Sequence, residues 1–140
     1  MQMTETKPLS RQAYFEKVWA YAVANDFKPA FDKDQRPCYI TQDGIKDPIG
    51  CLLSDAALQQ IKDNKANHFI VKTRKVFAIV VTDLGLPDDP YDIDNWLSFF
   101  DDLQACSDYS EGKSEWFKEH LEEFAIQYKL IVPINKETNV

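Results

Sequence analysis

Ile93, Trp96, Leu97, Phe100 and Leu103 recur at three- and four-residue intervals, and after the break Tyr109-Ser110-Glu111-Gly112 the same intervals resume at Phe117, Leu121, Phe124 and Tyr128. That spacing gathers apolar side chains on one side of a 3.6-residue helix but scatters them over both faces of a strand, so it predicts two amphipathic helices. The break is short, which makes the two an antiparallel pair, with Asp92 and Ser114 as their N-caps. Glu115, Glu119 and Glu122 then fall on the outward side of the second helix. Upstream, Ser10 caps a helix reaching about Asn25, with Phe15, Val18, Trp19 and Ala22 on its apolar side. A chain of 140 residues, 44% apolar and 13% aromatic, closes one hydrophobic core. The expected domain therefore spans 1–140, with 1–8 and 134–140 as flexible ends.

The middle of the chain is less regular. Pro29 and Pro37 bracket a charged stretch that cannot be helix, because proline lacks an N–H and pushes its predecessor out of the helical region. Cys38 to Thr41 and Pro48 to Leu53 are short, apolar segments flanking an Asp43-Gly44 turn signal, which predicts a β-hairpin over about 38–53. Pairing Ile40 with Ile49 would set Cys38 opposite Cys51, whereas a one-residue slip reverses every face. Ser54 caps a short helix to about Asp63. Residues 64–82 mix strand formers with helical spacing, and Val76, Ile79, Val80 and Asp83 favour a helix over 73–84. The expected class is α+β, mainly α, with four to five helices around a core and one small hairpin.

Charge narrows the function classes. Between Asp83 and Glu123 thirteen carboxylates face only Lys113 and Lys118, a segment charge of −11 in a protein of −7 overall. Such a field repels nucleic acid and attracts basic protein surfaces. The basic stretch Lys62, Lys65, Lys72, Arg74 and Lys75 reads as a solvated face. No run approaches the roughly 20 apolar residues of a membrane span, and MQMTETKP lacks the apolar run of a secretory signal, so a cytoplasmic location is expected.

Candidate chemistry is sparse. Three cysteines, an odd number, suit free thiols in a reducing compartment. A cysteine nucleophile requires a base, which leaves Cys51 or Cys38 with His68 or His120 as the catalytic candidates. Cys51 lies in an apolar run, where cysteine acts as a small hydrophobe. Zinc on Cys38, Cys51 and Cys106 lacks closely spaced ligand pairs, and the aspartates of the 88–94 loop lack the glycine and closing glutamate of a calcium loop. No metal or cofactor is expected. The four glycines are isolated, so no phosphate loop is present.

The stretches CYITQDGIKDPIGCLLSD, WLSFFDDLQACSD and WFKEHLEEFAIQYKL resemble a group of small uncharacterised proteins from bacteria and their phages. The shared pattern is a Cys-x-Tyr segment at Cys38 and Tyr39, a glycine turn at Gly44, an Ile-Gly-Cys-Leu run at Ile49 to Leu53 leading to Asp55, Leu103 with Gln104, and a closing Tyr128 to Leu130. Where members of that group often carry cysteine and histidine, this chain has Asp47 and Ser107. The resemblance implies a helical fold with a hairpin and a prokaryotic or phage origin, and no activity.

Together these features predict a non-enzymatic acidic protein that binds a basic surface, including that of a nucleic-acid-binding protein, as an inhibitor, regulator or DNA mimic. Its expected contact residues are Asp88, Asp89, Asp92, Asp94, Asp101, Asp102, Glu115, Glu119 and Glu122. The alternative is a cysteine-dependent enzyme, and a third possibility is an oligomerising module that exposes Trp116 and Phe99.

Overall fold

The computed structural model describes residues 8–87 and 89–133. Among them five helices follow in order: α1 (Arg11–Ala24), α2 (Asp55–Asp63), α3 (Arg74–Leu84), α4 (Pro90–Asp108) and α5 (Ser114–Gln127). The fold is mainly helical, as the apolar spacing requires. The expected flexible ends lie outside the described residues, Pro8 excepted.

Helix α1 starts where Ser10 Oγ accepts the Ala13 N–H at 3.0 Å, and it buries Tyr14, Phe15, Val18, Trp19 and Ala22. α4 and α5 run antiparallel: Cys106 and His120 meet near one end of the pair, and the Tyr128 hydroxyl donates to Asp102 on α4. α1 lies across them, with Tyr14 edge-on to Trp96 and Phe100 and Phe15 stacked on Phe124 at 6.0 Å between ring centres. The Arg11 guanidinium covers the rings of Trp96, Phe99 and Tyr128. Phe99, expected at the surface, is wholly buried between these rings, because Phe99 and Phe100 both point toward the seam shared by three helices.

Two caps differ from expectation. α4 begins earlier than Asp92: Asp89 Oδ1 accepts from Tyr91 and Asp92, and Pro90 takes the first helical position, where its missing N–H costs no bond. Asp92 falls in the first turn. α5 begins at Ser114 with Lys113 in the cap position and no side-chain cap bond.

α2 and α3 pack on each other and share a cap: Ser54 Oγ accepts from Ala57 on α2 and donates to Asp83 Oδ1 on α3 at 2.7 Å. The strand formers of the 64–82 stretch fold as helix from Arg74, since Val76, Val80 and Leu84 all reach the core and Gly85, at φ +63°, ends the helix in a left-handed turn.

The hairpin expected over 38–53 is reduced to one isolated antiparallel bridge, Ile40 to Lys46, beside a second such bridge from Phe31 to Pro37. Residues 48–53 coil into turns instead of a returning strand. Asp47 Oδ1 accepts the Gly50 N–H at 2.6 Å, and the Asp47 carbonyl accepts from Cys51 at 3.0 Å, so Asp-Pro nucleates a capped turn where Pro48 has no N–H for a ladder. The turn packs so closely on the preceding segment that a Cβ on Gly50 would sit 2.2 Å from the Tyr39 carbonyl oxygen. Ile40 therefore does not face Ile49, and Cys38 and Cys51 are free thiols bonded to different carbonyls, Ala30 and Pro48.

Candidate interaction surface on the α4 and α5 pair

The core face of α5 holds Phe117, Leu121, Phe124 and Ala125, which leaves Glu115, Glu119 and Glu122 exposed on the opposite side. Ile126, 79% exposed, continues the same stripe at the next helical interval. Carboxylates four and three residues apart rise about 6 and 4.5 Å along the axis, so these three form one ridge. The other candidate acids behave differently. Asp89 is occupied as the α4 cap, while Asp92 and Asp94 are exposed near that same end of α4. Because the pair is antiparallel, they stand on the order of 15 Å from Glu122 along its axis. Asp101, half-buried, pairs with Lys72 at 3.5 Å; Asp102 accepts from the Tyr128 hydroxyl at 2.5 Å. Asp88 lies outside the described residues. The acids thus fall into two groups joined by Asp101 and Asp102, with the ridge on α5 the denser one.

Among the described residues, the two lysines of the acidic segment form no ion pair with its carboxylates. Lys113 Nζ lies 4.3 Å from the centre of the Trp116 ring, and Lys118 Nζ lies 5.6 Å from that of Phe27. Among the described residues, Asp101 is the one contact candidate held in an ion pair.

A groove of about 240 Å³ opens between the second half of α4 and α5, lined by Asp102, Ala105, Cys106, Tyr109, His120 and Gln127. Its floor is the Cys106 thiol, which lies against the carbonyls of Asp102 and His120 at 3.5 and 3.4 Å. Tyr109, just past the end of α4, is 74% exposed and forms a wall. Neither Tyr109 nor Gln127 is legible as a contact residue in the sequence, since both follow the apolar stripe out of phase.

The catalytic candidates are not assembled. His68 Nε2 lies 2.6 Å from Asp32 Oδ2, and His120 Nδ1 donates to the Cys106 carbonyl; no hydrogen bond joins either imidazole to Cys38 or Cys51. Burial, with Asp47 nearby, pushes the Cys38 thiol up to about 12, and burial pushes Cys51 and Cys106 up as well, so all three stay protonated and poorly nucleophilic at neutral pH. The Asp32 and His68 pair lines an open cleft of about 470 Å³ with Thr41, Asp43 and Asn67, and no thiol. Asp32 there is held below the usual carboxylate range by the Arg36 N–H first and His68 after it, against a desolvation penalty. Its Oδ1 also accepts from Asp34, so the pair fastens the 31–37 loop to the segment bearing His68.

One polar cluster escapes sequence reasoning entirely. Asp47 is fully buried, its Oδ2 3.4 Å from Gln104 Nε2, while Gln104 Oε1 accepts from Val71. The Tyr39 hydroxyl beside them has no partner. Burial, then the charge of Asp108, holds the Asp47 carboxyl well above the usual range, and burial pushes Asp108 itself up to about 7. Nothing in the local sequence around Asp47 hints at its burial.

Among the described residues no helix is long and apolar enough to cross a membrane, and no three His, Cys, Asp or Glu side chains gather as metal ligands. Comparison with protein-family models, curated proteins and solved structures returned no match to this chain.

Proposed function

We propose that this protein acts by binding a basic surface on another protein, through the α5 ridge of Glu115, Glu119 and Glu122. The observation that carries the reading is that these carboxylates stand exposed on a rigid helix while the nearby Lys113 and Lys118 cover aromatic rings. A ridge of carboxylates held in no ion pair raises encounter rates with partners rich in Lys and Arg and disfavours acidic ones. Nucleic-acid-binding proteins are the partners whose grooves such a ridge fits, and occupying one as a DNA mimic would block it. The cysteine-enzyme alternative is disfavoured because burial keeps all three thiols protonated and the candidate thiols Cys38 and Cys51 bond backbone carbonyls, with neither imidazole as a partner.

The test is capture on the immobilised protein at about 50 mM and about 300 mM salt, with the triple variant Glu115→Lys, Glu119→Lys, Glu122→Lys alongside. The expected outcome is a basic protein retained by the native surface at low salt, released at high salt, and not retained by the variant. Equal retention by the variant removes the ridge from the interaction.

A further inference from the structure

We propose that the groove between α4 and α5 seats an arginine side chain of the basic partner, an inference that rests on the acidic-surface reading and names its anchor. The chemistry of the rim selects the ligand. His120 Nδ1 lies 3.2 Å from the Cys106 carbonyl, which can only accept, so Nδ1 is the donor and, in the tautomer this bond selects, Nε2 is the acceptor. Gln127 Nε2 is turned toward Asp102 Oδ2, which leaves its Oε1 unengaged, and the Cys106 S–H is directed to backbone carbonyls. Asp102 Oδ2 already accepts from Tyr128 and Gln127, so what the groove offers is three acceptors: Asp102 Oδ1, an imidazole nitrogen and an amide oxygen. A guanidinium has five N–H donors and no acceptor, in a plane that stacks on rings.

The remaining features agree. The exposed Tyr109 ring supplies a stacking wall, and this half of the molecule already holds its own guanidinium that way, with Arg11 5.4 Å from the centre of the Phe99 ring. The floor thiol is uncharged, but the Asp102 carboxylate lines the groove and the charges of Asp102 and Glu123 reach the thiol, so the groove lies in a negative field. At about 240 Å³ the groove is below the roughly 300–1,000 Å³ of small-molecule pockets, which suits one side chain entering from a partner. A lysine would bring a compact, strongly hydrated charge with fewer donors and no plane to stack.

The experiment titrates the protein with labelled hexa-arginine and hexa-lysine peptides at about 50 mM salt, and repeats both with Tyr109→Ala, a change at an exposed ring that leaves the core intact. Hexa-arginine should bind about three- to fivefold tighter than hexa-lysine, and Tyr109→Ala should abolish that preference while leaving hexa-lysine binding unchanged. Backbone amide shifts on adding hexa-arginine should centre on Ala105, Tyr109, His120 and Gln127. An arginine preference that survives Tyr109→Ala, or shifts confined to Glu115, Glu119 and Glu122, overturns the groove but leaves the acidic ridge standing. If neither peptide binds, both fall.

Discussion

Gly50 and Asp47 show how much one position decides. Gly50 reads in the sequence as an isolated turn glycine inside an apolar run, with no sign of the close approach it permits, and its missing side chain is what lets the turn press onto the Tyr39 carbonyl. Gly50→Ala should cost at least about 2 kcal/mol, because backbone and not a flexible side chain would have to yield. A urea unfolding curve measures it; a midpoint unchanged from the native protein would mean that the contact is not tight. The structure gives Asp47 a job that no local rule in the sequence announces: its carboxyl group caps the turn that Gly50 closes.

Among the elements, the helices were read correctly from apolar intervals, and their ends less well. The stripe Ile93, Trp96, Leu97, Phe100, Leu103 identifies α4 regardless of context, but its start depends on which of several aspartates accepts the first N–H groups. Asp89 does so, with Pro90 behind it. Asp89→Ala should therefore destabilise by about 1 kcal/mol in denaturant titration, whereas Asp94→Ala, exposed on the same helix, should stay within about 0.5 kcal/mol. Equal losses from both would indicate a general charge effect in place of a cap. The hairpin failed for a comparable reason: two short apolar runs around Asp-Gly satisfy a local turn rule, while Asp-Pro at 47–48 offers the second run a capped helical turn, which wins because Pro48 cannot donate to a ladder.

Over the molecule, the acidic excess is handled in two ways: exposed carboxylates on α5, and carboxyls folded inward at Asp47 and Asp108. Burial raises Asp108 to about 7, above the ordinary carboxylate value of about 3.8 that it has in the unfolded chain, so its protonated form favours the folded state. The sign follows: that contribution is fully present below about pH 4 and is lost as pH rises through about 7. Over roughly pH 5 to 7 Asp108 should therefore lower stability by about 1 kcal/mol per pH unit, Asp47 adds a fall of the same sign, and Asp108→Asn should make the slope shallower without abolishing it. Urea midpoints across that range decide it; a native slope unaltered in Asp108→Asn would assign the titration elsewhere, with Asp47 the next group to replace.

The order and faces of the helices follow from local periodicity, which any segment carries within itself, so sequence alone settled a mainly helical chain, an antiparallel α4 and α5, and an outward row of Glu115, Glu119 and Glu122. Tertiary packing decided what depends on residues far apart in the chain. It buried Asp47 beside Gln104, separated Cys38 and Cys51 from the histidines, divided the acids between two ends of one helix pair, and opened the groove at Tyr109. Those outcomes turn on desolvation and on which side chains meet across elements, and neither is encoded in the spacing of any single stretch.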